Sequence, residues 1–513
     1  MLKKQKNKMR KMTFQIKKGI KGILKSVFLL LFVSISVSSE AQIQRPKLVV
    51  GLMVDQMRWD YLYYYYNDFC EGGLRRLVDE GYSYENTMIN YVPAVTAIGH
   101  SSVWSGSIPA LTGIAANTWF EDGAGVYCCQ DSAVKSVGSD SKEGQMSPHR
   151  FQASTIGDQL KLATDFRSKV IGIALKDRAA ILPAGHSADA AYWWDESAGH
   201  FVTSTYYMKQ LPQWVTDFNK LNQQKPGTNV KTSDKGVGLT FGLAEAAVES
   251  EQLGQHSDPD LLCISVSSTD AIGHVFSTRG PENKSVYMEL DRQMAAFLNL
   301  LDEKIGRGNY LLFFTADHGA VHNPNFLKQH KIPAGGLETW NMEKEANGYM
   351  QKALGLEGKV VSQISGGRVT LNDALLKRQG VDISKARQIM IDWLLKDNRI
   401  RFAVDYDHVA EATIPEIIKE RIINGYFRGR SGDVFFVQRP EFGDNSDASD
   451  FRGTSHSQWN PYDTHIPFVL MGWHVNHGQT STPARIVDIA PTICEMLHIQ
   501  MPSACVGNAL LRE

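Results

Sequence analysis

Five short apolar runs, at residues 47–53, 169–174, 261–266, 311–315 and 466–471, leave this chain few ways to fold. Runs of that length, separated by stretches with helical periodicity, read as buried strands of a largely parallel sheet whose crossovers are helices. The helical patterns fall at 74–80, 97–104, 154–163, 237–251, 282–304, 383–395 and 485–497. The expected fold is therefore α/β, a doubly wound and mostly parallel sheet flanked by helices. Residues 323–448 break the alternation with Gly366-Gly367, Gly429 and a strand-like run at 433–438. They read as an inserted lobe or cap between two core strands. A chain of 513 residues, 43% of them hydrophobic, can bury a core of this size.

The start of the chain has a different character. Ten basic residues, from Lys3 to Lys25, precede an apolar run at 27–37, and Ser39-Glu40-Ala41 places small residues where a signal peptidase reads. The pattern predicts a signal peptide over 1–41, a mature catalytic region over 42–513, and an exported protein, periplasmic or secreted. An uncleaved anchor is the alternative, but the apolar run is short for a span of about 20 residues. No stable membrane span is expected after cleavage. Removing 1–41 takes away ten basic residues and one acid, which leaves a formal net charge of −10. So acidic a protein is unsuited to holding nucleic acid by its backbone, and any anion site must be local.

The chemistry-bearing residues gather where the predicted strands end. The first run leads into Asp55, and the third into Ser268-Thr269-Asp270-Ala271-Ile272-Gly273-His274. The fourth leads into Thr315-Ala316-Asp317-His318-Gly319, and Gly453-Thr454-Ser455-His456 lies just before the fifth. In open α/β sheets, ligands bind at that edge. Each element alone reads equally as a turn former or helix cap. Their joint order yields three carboxylates and three imidazoles, a donor set that suits zinc and is numerous enough for two ions. His465 and His474 compete with His456 for the late position.

The nucleophile candidate is Thr96, in Val92-Pro93-Ala94-Val95-Thr96-Ala97-Ile98-Gly99-His100. It opens a helical pattern, where free backbone N–H groups and the helix dipole favour a phosphoryl group. A metal ion would make its hydroxyl nucleophilic, and Gly99 leaves room for a close backbone approach. The alternative is that Thr96 merely caps the helix.

Over residues 47–472 this ordered set resembles the alkaline phosphatase superfamily. Within it, the set resembles the phosphate-irrepressible (PafA-type) alkaline phosphatases and the related nucleotide pyrophosphatase/phosphodiesterases. The resemblance implies two Zn2+ per chain, one held by Asp270, His274 and His456, the other by Asp55, Asp317, His318 and the Thr96 oxygen. It implies hydrolysis of small-molecule phosphate monoesters through a phospho-threonine intermediate. Asn117, in Gly113-Ile114-Ala115-Ala116-Asn117, matches the family's phosphoryl-oxygen donor, and Lys176-Asp177-Arg178 matches the Lys-x-Arg of its monoesterases. Lys176 and Arg178 suit the extra charged oxygen of a monoester dianion. One departure is Ser457, where the family commonly has glycine after the late histidine.

Two other readings compete: a phosphodiesterase or nucleotide pyrophosphatase on the same scaffold, and a zinc-stabilised binding protein without catalysis. None of the six cysteines shows the C-x-x-C spacing of a zinc ribbon or begins the C-x-P-x-R pattern of sulfatases. Cys494 with Cys505 is the expected disulfide, and Cys263, in an apolar strand, is expected as a buried thiol.

Overall fold

The structure, a computed structural model, describes residues 1–36, 43–121 and 123–510, without the side chains of residue 24 and residues 26–36. The chain divides into two compact units, Met1–Arg45 and Pro46–Glu513. In the first, Leu2–Ser36 forms one helix, α1. Among the described residues no helix is long and apolar enough to cross a membrane. The expected peptidase site, Ser39-Glu40-Ala41, lies outside the described residues.

The second unit is built on a ten-stranded sheet. Five of its strands are the apolar runs: β1 (Leu48–Val54), β2 (Val170–Ala174), β3 (Asp260–Val266), β4 (Tyr310–Thr315) and β5 (Phe468–Gly472). β1 lies at the centre, parallel to β3 on one side and β4 on the other, and β2 continues in parallel beyond β3. Every residue of β1 to β4 is buried, as expected of strands covered on both faces. Strands at Tyr82–Tyr84, Ser136–Val137, Ala190–Asp195, His200–Ser204 and Gly478–Thr480 complete the sheet.

β5 corrects the sequence reading, because it runs antiparallel to β4. The reason is connectivity. The residues just before it, around His456, already stand at the edge where the parallel strands end. Only the four-residue helix Pro461–Thr464 and a two-residue bridge strand, His465–Ile466, intervene. A parallel strand would need a crossover of a dozen or more residues, so the chain returns the other way.

Two glycines set the position of the helix that carries Thr96, α2 (Thr96–Ser105). A Cβ on Gly51, in mid-β1, would lie 2.2 Å from the buried Trp104 ring and 2.4 Å from Phe313. Glycine here lets the indole press against the strand, so that α2 can approach the sheet closely. At Gly99 a Cβ would lie 2.4 Å from the Asp317 carbonyl oxygen, so α2 also touches the turn after β4 backbone to backbone.

Between β4 and β5, a separate four-stranded antiparallel sheet is ordered Val361–Ser365, Arg368–Leu371, Val434–Gln438, Ile400–Asp405. Helices Thr339–Leu354 and Ile383–Leu394 pack on it through their own apolar cluster, which includes Met342, Met350, Met390 and Phe436. The stretch leans on the segments before and after α2. Arg368 donates to the Ala115 carbonyl (3.1 Å) and Asn424 to the Asn90 carbonyl (2.7 Å).

Candidate metal centre

Asp55 stands one residue beyond β1, and its N–H donates to the Val266 carbonyl at the end of β3 (3.1 Å). That bond aligns it with helix α3 (Ser268–Phe276), which begins two residues later and places Asp270 and His274 one turn apart on one face. Asp317 and His318 follow β4. All five therefore stand at the carboxyl edge of adjacent parallel strands, and His456 joins them from the loop ahead of β5.

The six side chains fall into two groups that could each hold a metal ion: Asp270, His274 and His456, and Asp55, Asp317 and His318. Within each group the candidate ligand atoms lie no more than 4.8 Å apart. The groups adjoin. The His318 and His456 rings stack with centroids 3.6 Å apart, and the Lys176 ammonium lies 2.5 Å from both Asp55 Oδ2 and Asp270 Oδ2. Those two oxygens, one from each group, are thus separated by at most about 5 Å. His465 and His474 belong to neither group. His465 stacks on Trp59, and His474 on Trp473.

The donor set fits metal ions on three counts. Each imidazole points Nδ1 at a backbone carbonyl: His274 at Thr454 (2.9 Å), His318 at Gly319 (3.0 Å) and His456 at Ala94 (2.7 Å). A carbonyl only accepts, so the proton sits on Nδ1 and the Nε2 lone pair is turned to the centre. Asp55 Oδ1, Asp317 Oδ2 and His318 Nε2 are buried without a hydrogen-bond partner, and all three belong to one group. Such orphans are costly unless something unlike a hydrogen bond satisfies them. Finally, burial, then repulsion from Asp270 and Asp317, drives the Asp55 carboxyl well above its usual range, a strain that a cation relieves. Burial, then the neighbouring His318 and His274, pushes His456 well down, so it stays the neutral imidazole a ligand must be.

Thr96 opens α2, and the residues flanking it touch a member of each group. His456 is bonded to the carbonyl two residues before it, and Gly99, one turn after it, abuts Asp317. Its expected alternative role fails, because the cap residue is Val95 and Thr96 is the first helical residue. Asn117 is brought to the same spot. Its Oδ1 accepts the Ala97 N–H (2.9 Å), which turns its NH2 outward as a donor. Lys176 and Arg178 flank the start of the helix Asp177–Ala184, directly after β2. Arg178 donates to the Tyr127 hydroxyl (3.0 Å), which donates to Asp177 (2.7 Å), while its Nε is buried and unpaired.

Two residues in the site escaped sequence reasoning. Gln56, in a left-handed conformation (φ 64°), ties the two groups together. Its N–H donates to Asp317 Oδ1 (3.1 Å) and its amide to Asp270 Oδ1 (2.6 Å). A non-glycine residue held at positive φ signals a functional constraint, but nothing local in the sequence announces it. Tyr127 reaches Arg178 from a hairpin, Thr118–Glu121 with Ala124–Tyr127, that has no strong strand pattern. The expected disulfide is corrected: Cys494 and Cys505 are both free thiols. Cys494 is buried in the helix Ile489–Met496, and the Cys505 sulfur lies beside Gly106. Cys263 is a buried free thiol, as expected.

Residues 49–451 match the family described as Type I phosphodiesterase / nucleotide pyrophosphatase. A Myroides odoratus protein named calcium-transporting ATPase is 41% identical over 93% of this chain and 96% of its own. Alkaline phosphatase PafA of Elizabethkingia meningoseptica is 39% identical over 91% of this chain and 94% of its own. A crystal structure of wild-type alkaline phosphatase PafA superposes with a TM-score of 0.87 at 39% identity, covering 91% of this chain and 99% of that one. The chain belongs to the type I phosphodiesterase/nucleotide pyrophosphatase family of the alkaline phosphatase superfamily, and it is a phosphatase.

Proposed function

We propose that the protein hydrolyses phosphate monoesters through a phospho-threonine on Thr96, with two zinc ions per chain. One would be held by Asp270, His274 and His456, the other by Asp55, Asp317, His318 and the Thr96 oxygen. The observation that carries this reading is the pair of adjoining ligand groups beside a helix that opens with a threonine and touches a member of each. Bound zinc supplies Lewis acidity, which makes a hydroxyl nucleophilic near neutral pH and offsets charge on the departing oxygen.

The chain's own residues perform the rest. The Thr96 hydroxyl oxygen attacks phosphorus in line, the bond to the ester oxygen breaks, and the alcohol departs. Water then attacks the phospho-threonine, releasing inorganic phosphate and restoring the hydroxyl. Throughout, the free N–H groups at the start of α2, the Asn117 amide, Lys176 and Arg178 hold the non-bridging oxygens, where fixed charge contributes most. Arg178 keeps its charge because Tyr127 and Asp177 outweigh the burial that opposes it.

Two cationic side chains near one phosphoryl site favour a dianionic group over a diester. The terminal phosphoryl of a nucleoside triphosphate has the same three unsubstituted oxygens, which is consistent with the ATPase name of the Myroides relative. Residues 1–41 fit the reading as an export signal that takes the enzyme to the periplasm or beyond. The decisive assay compares an aryl phosphate monoester with its methyl diester on purified, zinc-loaded enzyme, with and without EDTA. A faster monoester reaction that EDTA removes supports the proposal. Preference for the diester, or turnover indifferent to the chelator, overturns it.

A further inference from the structure

Cys128 and Cys129 are adjacent in sequence, both buried, and their sulfurs lie 3.9 Å apart. In an extended strand, neighbouring side chains point to opposite faces. Here the chain turns immediately after the strand Ala124–Tyr127, where the Tyr127 carbonyl accepts the Gln130 N–H (3.1 Å), and both thiols come to one side. Three backbone bonds brace the turn. Besides the Tyr127 bond, the Cys128 N–H donates to Asn117 O (3.0 Å) and the Cys129 carbonyl accepts the Ser147 N–H (2.8 Å). Among the described residues, the Cys128 carbonyl and the Cys129 N–H make no hydrogen bond. That unbonded peptide can rotate as the two sulfurs approach without breaking a backbone hydrogen bond.

We infer that Cys128 and Cys129 are a covalent modification site, a vicinal dithiol that closes to a disulfide and thereby adjusts the groups holding the phosphoryl oxygens. The functional half rests on the roles proposed above for Asn117 and Arg178. Both are one bond away: Asn117 through its carbonyl to Cys128, and Arg178 through the hydroxyl of Tyr127, the residue before Cys128. Adjacent Cα atoms across a trans peptide stand about 3.8 Å apart, below the 4.4–6.8 Å common to relaxed disulfides. The closed ring is therefore strained and readily reduced, which makes it a reversible modification rather than a staple.

The chemistry is thiol–disulfide exchange with a low-molecular-weight disulfide. One cysteine sulfur, having lost its proton, attacks the disulfide and expels one thiol. The second cysteine sulfur, also deprotonated, attacks the mixed disulfide and expels the other. Two cysteine thiols are oxidised, one external disulfide is reduced to two thiols, and the two protons leave with them. Burial drives the Cys129 thiol up, so exchange proceeds while the hairpin is open.

The test treats the full chain with excess oxidised glutathione at alkaline pH, then traps remaining thiols under denaturing conditions. The peptide containing residues 128 and 129 is mapped by mass, and KM and kcat for an aryl monoester are measured before and after. The expected peptide is lighter by two hydrogens and unalkylated. KM should rise at least threefold with kcat little changed, and dithiothreitol should reverse both. Cys128→Ser, or Cys128→Ala if the serine variant folds poorly, should keep the reduced enzyme's KM under oxidant. Full alkylation of both cysteines after treatment, or the same KM in both redox forms, overturns the inference. Absence of monoester turnover in the reduced enzyme would instead count against the proposed function, because the mass readout does not depend on activity.

Discussion

Gly99→Ala puts a methyl group in place of one hydrogen in a helix 10 residues long, and it should nearly silence the enzyme. The new Cβ would lie 2.4 Å from the Asp317 carbonyl oxygen, 2.5 Å from Asp317 Cβ and 2.7 Å from its Cα. Ordinary contact begins near 3.4 Å, so the two segments must separate by about 1 Å. Two of the three obstructing atoms are backbone and cannot swing aside. α2 cannot retreat, because Trp104 already rests against Gly51, nor can it leave Asn117 without losing the Ala97 bond. The displacement therefore falls on Asp317 and the neighbouring His318. A misplacement of about 1 Å at reacting groups costs on the order of 100-fold in rate, and overpacking of this kind costs about 1–3 kcal/mol in stability. The assay is kcat/KM on an aryl monoester, with metal per chain measured by elemental analysis and the urea midpoint followed by circular dichroism. Gly348→Ala is the control, in the helix Thr339–Leu354, where a Cβ meets nothing within 4 Å. There alanine should leave the rate alone and stabilise by up to about 1 kcal/mol. Wild-type kcat/KM and metal content in Gly99→Ala would refute the close-approach reasoning.

Three other outcomes are expected. Thr96→Ala should lower kcat by at least about 10³-fold while the protein keeps most of its metal, whereas Asp317→Asn should lose metal; elemental analysis beside turnover separates the two roles. Arg178→Ala, which removes a charge-assisted contact of about 1.5–3 kcal/mol, should slow the monoester roughly 10- to 100-fold and the methyl diester far less. Equal losses on both esters would deny Arg178 its discriminating role. Burial, then the Arg58 and Arg279 charges, lowers His322 to about 3. The unfolded chain takes up a proton near pH 6.5 that the folded chain refuses, so His322 makes stability fall as pH drops from about 6.5 toward 3. Over pH 6.5 to 5 its share is roughly 1–2 kcal/mol. His322→Gln should flatten the urea midpoint over that interval, and an unaltered slope would count against it.

What the sequence disclosed and what it hid follow from how local each signal is. Fully buried strands such as β1 and β3 are unbroken apolar runs, and the residues that end them are read directly, which is why Asp55, Asp270 and Asp317 were visible. The one-turn spacing of Asp270 and His274 is likewise a local pattern. Strand direction is not local. β5 has the same apolar run whichever way it points, and only the short connection from His456 decides it. Gln56 and Tyr127 carry no motif of their own, since each matters through a partner more than fifty residues distant. The cysteines mislead for a related reason: Cys494 and Cys505 are close in sequence but their thiols are free, whereas the turn that brings the Cys128 and Cys129 sulfurs together carries no sequence signal.

The carbonyl clamps on the imidazoles bear on how the protein matures. His274 is fastened to Thr454, 180 positions away along the chain, and His456 to Ala94, 362 positions away. No unfolded or half-folded chain can present those nitrogens together, so the cages arise only once the sheet has closed. A metal ion then binds the finished fold and not its precursors, and by mass action each tenfold rise in free metal above the dissociation constant deepens the native well by about 1.4 kcal/mol per site. The melting temperature of the enzyme should therefore serve as a gauge of the free metal around it.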